Sequence, residues 1–150
     1  MANIEQVYEE EYKLSPAQKS KFKKNELTEF PVAATVILHL ITFGIFTWIY
    51  FGLIHEKLPK VKDDDFGAAK AILFMLIPFF NIYWMFIFWL RLYDRVNLQL
   101  KARGRSFELP RGLVIATLIL NLIPFVNYIT FIFWPIVAGL MQSGINQAAK

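Results

Sequence analysis

The sequence predicts an all-α membrane protein built from three broken apolar units, and three observations predict it. Of its 150 residues, 56% are hydrophobic and 17% aromatic but only 19% charged, whereas a soluble domain carries about a quarter charged residues. No formal charge occurs between Lys70 and Arg91, or between Arg111 and Lys150, and uncharged stretches of that length have lipid as their natural solvent. Nearly the same phrase interrupts each apolar run: Leu40-Ile41-Thr42-Phe43-Gly44, Leu76-Ile77-Pro78-Phe79-Phe80-Asn81 and Leu122-Ile123-Pro124-Phe125-Val126-Asn127.

Residues 1–29 form a polar arm in which Glu5, Glu9, Glu10 and Glu11 precede Lys13, Lys19, Lys21, Lys23 and Lys24. A short helix burying Ile4, Val7, Tyr8 and Tyr12 fits its first half, and Ser15-Pro16 is a helix start with Ser as cap and Pro at the first helical position. With no cleavable leader pattern, the expectation is an N-terminus in the cytoplasm.

Residues 30–150 form the membrane domain, with units at about 31–54, 68–103 and 110–148. The first holds His39, the titratable residue well inside an apolar run; such a group at membrane depth is a candidate for function or for a buried polar contact. His55, beside Glu56, is expected at the interface. Asp63-Asp64-Asp65 reads as a solvated loop capping the next helix rather than a cation site, because three consecutive carboxylates do not converge on one ion without other ligands.

The second and third units match beyond the break, Phe86-Ile87-Phe88-Trp89 answering Phe131-Ile132-Phe133-Trp134, which suggests a repeated helix pair. After Trp89 the second unit sets Leu92, Tyr93, Val96 and Leu100 against Arg91, Asp94, Arg95 and Lys101, the spacing of an amphipathic helix. Gly104 is then placed to end it in a left-handed cap. Arg91, Asp94, Arg95, Lys101, Arg103 and Arg105 form the candidate face for a partner or for anionic lipid headgroups. In the third unit Gly139, Ser143 and Gly144 allow close helix approach, either internally or between copies.

The breaks admit two architectures. An apolar unit of about 24 residues is about 36 Å long as a helix, enough to cross a hydrocarbon core of about 30 Å, so three kinked transmembrane helices are possible. The alternative is three helical hairpins, about six short helices, entering and leaving by one face. Pro78 and Pro124 stop a helix while Asn81, Asn127 and Thr42 can cap the next, and Gly44 supplies the turn. Stop followed by start describes a turn rather than a kink. Hairpins also keep every Lys and Arg on the cytoplasmic side, whereas three spans put Lys57, Lys60, Lys62 and Lys70 outside, against the positive-inside bias.

No Ser/His/Asp arrangement, paired buried carboxylates, histidine metal pair or phosphate loop is present in the sequence, and it holds no cysteine. No catalytic, cofactor or metal role is therefore expected, and the basic groups accompany no nucleic-acid module. The run Thr42-Phe43-Gly44-Ile45-Phe46 resembles the Thr-x-Gly-Ile-aromatic signature of an uncharacterised bacterial family of small integral membrane proteins, and the two Ile-Pro-Phe-x-Asn phrases resemble that family's downstream segment. The resemblance covers about residues 31–100, with Phe46 where Tyr is commoner, and implies the bacterial inner membrane but no activity. The functional expectation is a non-catalytic, membrane-embedded accessory or scaffold subunit that docks a protein partner or self-assembles. The alternative is a small channel or transporter whose broken helices, with Asn81 and Asn127, line a solute path.

Overall fold

A computed structural model describes residues 15–17, 26–60 and 62–150; the helix expected around Ile4 to Tyr12 lies outside them. Among the described residues the fold is all-α, without strands, and six helices follow in order: α1 (Val32–Ile41), α2 (Ile45–Lys57), α3 (Ala68–Leu73), α4 (Phe80–Ala102), α5 (Arg111–Asn121) and α6 (Asn127–Ala149). A 3-10 turn, Phe74–Leu76, prolongs α3. Each break is a reversal between two helices rather than a bend within one. The six helices are unequal, because α4 and α6 each have 23 residues against 10 in α1 and 11 in α5.

The two ends of α1 fix its direction. Phe30, just before it, exchanges two hydrogen bonds with the Asn146 amide, N–H to Oδ1 at 2.9 Å and Nδ2 to the carbonyl at 2.8 Å. Phe43, just after it, meets Phe131 with ring centroids 6.2 Å apart. Hence α1 runs antiparallel to α6. Helices α2, α4 and α6 run together: Phe51 packs on Trp89, Trp89 on Trp134, and Phe107 bridges Tyr93 to Gly144. The three turns therefore lie at one end of the bundle, with the interhelical connections at the other.

The polarity of the two ends differs sharply. The ion pairs described, Arg91 with Asp64 and Asp65, Arg111 with Asp94, and Lys150 with Glu29, sit at the connection end. Around the turns Ile41, Leu76, Ile77, Leu122 and Ile123 are exposed. The core between them is filled by Phe51, Phe88, Leu92, Leu118, Met141 and Ile145, all fully buried.

The small residues of α6 serve internal packing. A Cβ at Gly139 would stand 3.1 Å from Val36 of α1, and one at Gly144 only 2.3 Å from the Phe107 ring; Ser143 lies between them, half-buried. Pro135 is accommodated inside α6, which continues to Ala149. By length and apolar character α6 could cross a membrane, and half of its most apolar stretch is buried within the bundle.

Candidate functional site: the apolar end and its cavity

The turns share an unusual backbone. Phe43, Phe79 and Phe125 have φ of 51°, 61° and 68°, a region that costs an L-residue about 1–2 kcal/mol. Their side chains are 82%, 89% and 83% exposed. Three large exposed apolar rings on positive-φ backbone at one end make the apolar end the candidate functional surface.

The first turn is closed by one hydroxyl. Thr42 Oγ donates to the Leu38 carbonyl at 2.6 Å, ending α1, and accepts from Phe46 N–H at 3.0 Å, starting α2. Gly44, at φ 86°, completes the reversal. In the other two turns Pro78 and Pro124 end the first helix as expected, but the asparagines do not cap. Asn81 is the second residue of α4 and Asn127 the first of α6, and neither helix has a side-chain cap bond. Short backbone bonds satisfy these turns instead: Phe80 N to Pro78 O at 2.7 Å, Asn81 N to Ile77 O at 2.9 Å and Asn127 N to Ile123 O at 3.2 Å.

Between the hairpins lies a cavity of about 410 Å³. Its walls are mostly apolar, with Met75, Met85, Phe88, Trp89 and Phe131 among them, and its polar groups are His39, Thr47, Asn121, Asn127 and Thr130. His39 Nδ1 lies 2.8 Å from Thr47 Oγ, and the Thr47 hydroxyl lies 2.9 Å from the Gly44 carbonyl. The carbonyl can only accept, so it takes the single hydroxyl proton. With that proton on the carbonyl, the tautomer that donates from Nδ1 fits His39. Across the cavity Asn121 Oδ1 lies 3.1 Å from Thr130 Oγ and 3.5 Å from Trp134 Nε1, and the Thr130 hydroxyl gives its proton to the Asn127 carbonyl at 2.6 Å. The Trp48 indole N–H, in the same wall, is buried with no acceptor. Asn121, Thr47 and Trp48 were not singled out by sequence; the signal available was their position within one turn or two of a break.

The expected charged face divides. Arg95 does not belong to it, being only 2% exposed. Its Nε donates to Pro59 O at 3.2 Å, Nη1 to Phe66 O and His55 Nδ1 at 3.1 Å each, and Nη2 to His55 O at 2.9 Å and to Leu58 O. Five donors thus meet five acceptors, most of them carbonyls at the C-terminus of α2, where a cation is favoured. Burial pulls its pKa down to about 10, so it remains a cation at neutral pH. His55 is likewise buried rather than interfacial, 1% exposed, with Nε2 donating to Phe88 O at 3.2 Å. Burial first, then the neighbouring Arg95 charge, holds its pKa well below the usual value, only partly opposed by the Phe88 bond.

Arg91 is committed to Asp64 and Asp65, and Asp65 Oδ2 accepts from Lys62 N–H at 2.9 Å. Asp64 and Asp65 therefore pin α4, with Asp65 buried rather than in a solvated loop, and the first turn of α3 is capped not by the acidic run but by Glu56, whose Oε2 accepts from Ala68 N–H at 2.9 Å. Asp94 pairs with Arg111, Arg103 folds onto Gln99, and Arg105 reaches the Gln147 carbonyl. Lys101 is exposed. Gly104, at φ 66°, ends α4 as the sequence predicts, with Arg105 N–H bonded to Leu100 O at 2.9 Å.

Searches of known families, characterised proteins and solved structures give no match to this chain.

Proposed function

We propose that this protein is a non-catalytic scaffold embedded in the cytoplasmic leaflet of a bacterial inner membrane, where it assembles with a protein partner or with copies of itself. The observation that carries the reading is the placement of the three Phe-tipped turns at one end and of the charges at the other. Arg91 stands 11 residues after Phe80, Glu56 11 after Ile45 and Asn121 10 after Arg111. At about 1.5 Å per residue those arms are about 15–17 Å deep, half of a hydrocarbon core of about 30 Å. The self-contained hydrogen bonding of the turns supports immersion, since backbone in lipid must be satisfied internally. Arg111 and Arg91 then lie at headgroup level, suited to anionic lipid, and Lys101, about 15 Å further along α4, stands on the cytoplasmic side. A wedge of this shape expands one leaflet and gives copies a common plane in which to assemble.

The test uses the absence of native cysteine. Single cysteines at Asp64, Gly104 and Lys150 are treated with an impermeant thiol reagent outside intact cells. One-sided hairpins leave all three unlabelled until the membrane is opened; three spans expose positions 64 and 150. A purified lone monomer that leaves vesicle shape unchanged would overturn the scaffold role. The cavity with Asn121 and Asn127 is the observation favouring a small channel or transporter instead, although arms of about 15–17 Å reach only midway. Solute flux in liposomes, lost in Asn127→Leu, would establish that second reading, and absent flux would remove it.

A further inference from the structure

We propose that the acidic run Glu9-Glu10-Glu11 docks on the basic cluster of Lys101, Arg103 and Arg105 in the same chain, and so holds that cluster closed to other acidic partners. This docking does not rest on the scaffold reading, because both surfaces belong to one chain.

Three observations select this occupant. First, the cluster lacks a counter-charge. Arg91, Arg111 and Lys150 each have a carboxylate partner, whereas among the described residues Lys101, Arg103 and Arg105 are in no ion pair. Arg103 Nη1 donates to the neutral carbonyl and Oε1 of Gln99 at 3.1 and 2.6 Å, and Arg105 Nη1 to the Gln147 carbonyl. The two guanidiniums also bear on each other: burial first, then the Arg105 charge, lowers the Arg103 pKa, and an anion between like charges relieves both. Second, the chain carries the matching charge. Glu5, Glu9, Glu10 and Glu11 are the acidic residues of positions 1–25, three of them consecutive, and carboxylates spread along a segment suit cations spread over five positions. Third, the chain enters the bundle beside the cluster. Glu29 pairs with Lys150 at 3.6 Å, and the Gln147 carbonyl three residues before Lys150 holds Arg105. Glu11 precedes Glu26, where the described chain resumes, by 15 residues, a reach of about 50 Å extended or about 22 Å as helix. Single exposed ion pairs are weak and screened by salt, but a tether of that length sets a local concentration on the order of millimolar. The chain's own run therefore outcompetes a free acidic segment.

The test uses full-length protein in phosphatidylcholine nanodiscs with two introduced cysteines, Tyr12→Cys beside the run and Ser106→Cys, at an exposed position beside Arg105, joined by a short bis-maleimide. Mass spectrometry separates a link within one chain from a link between copies. The within-chain link should form at about 0.05 M salt and fall at least about fivefold at about 0.5 M, where exposed charges are screened. Glu9→Lys, Glu10→Lys and Glu11→Lys together should lower it as much, as should Lys101→Glu, Arg103→Glu and Arg105→Glu together. Combining the two reversals should restore the link, since the charges are complementary again. Should the cluster reversal misfold, Lys101→Glu with Arg103→Gln, which keeps the Arg105 bond to Gln147, serves with the same expected direction. A link insensitive to both reversals, or one found only between copies, would overturn the proposal. So would sensitivity to the run alone, which assigns the run to Lys13, Lys19, Lys21, Lys23 and Lys24, and so would loss of the link when phosphatidylglycerol replaces phosphatidylcholine, which assigns the cluster to headgroups. Failure of the leaflet reading is seen separately, in cysteine labelling of intact cells.

Discussion

The indole rings of Trp89 and Trp134 pack with centroids 4.8 Å apart and planes inclined at 38°. They close the two matching Phe-Ile-Phe-Trp runs, and they hold the parallel helices α4 and α6 together beneath the cavity. Aromatic pairs of this geometry add about 0.5–1.5 kcal/mol beyond their buried area. Replacing Trp89, only 5% exposed, by Ala should cost about 3–5 kcal/mol. A double-mutant cycle with Trp134→Ala, read from unfolding in detergent, should return a coupling of about 1 kcal/mol. Strict additivity would show that the two rings are independent.

Arg95 gives a second prediction. Its fork satisfies carbonyls of His55, Leu58, Pro59 and Phe66 at once. Arg95→Met leaves those groups buried and unpaired, and should lower stability by at least about 3 kcal/mol. Arg95→Lys should rescue little, because an ammonium has three donors for five acceptors and no planar fork. Chemical unfolding of both variants distinguishes this from a surface charge, for which each change would fall within about 0.5 kcal/mol.

These residues show how far the sequence was legible. The breaks were readable because Pro78, Pro124 and the Thr42-Gly44 pair act locally, through a missing N–H, a hydroxyl and a positive φ. The fate of Arg95 was not, since its helical spacing with Arg91 is that of an exposed ion-pair face. What buries it is the end of α2, 40 residues away in sequence, whose carbonyls need donors. Likewise nothing local marks Phe43, Phe79 and Phe125 as the positive-φ residues, because Phe is a poor choice for that region; the turn geometry overrides its preference. Asn121 carries no local signal because it ends an apolar helix without a motif, and its place appears only once Thr130 and Trp134 fold back onto it.

His55 sets a pH dependence. Its imidazole is kept neutral in the fold by burial and by Arg95, while in the unfolded chain it titrates near 6.5. Its folded pKa is depressed, so below about 6.5 the unfolded chain binds the additional proton and stability falls as pH falls. One proton corresponds to a slope of at most about 1.4 kcal/mol per pH unit. Unfolding midpoints between pH 7.5 and 5.5 should decline for the wild type and less steeply in His55→Gln, whose amide can still donate to Phe88 O and accept from Arg95. An equal decline in both proteins would assign the effect to other groups.

The three tip phenylalanines offer the sharpest discrimination between a solvent of water and one of lipid. At 82–89% exposure each ring makes few contacts with the bundle, so Phe43→Asp, Phe79→Asp or Phe125→Asp in water should change stability by no more than about 0.5 kcal/mol. Asp also tolerates positive φ better than Phe does. In hydrocarbon the same substitution places a carboxylate about 15–17 Å below the headgroup level, where insertion costs about 2.5–3.5 kcal/mol per residue. The membrane-integrated fraction, measured after alkaline extraction, should therefore fall by roughly tenfold or more for each single Asp. Phe→Leu at the same positions, which keeps an apolar tip, should leave integration near wild type. Equal integration of the Asp and Leu series would place these rings outside the bilayer and remove the leaflet-embedded reading.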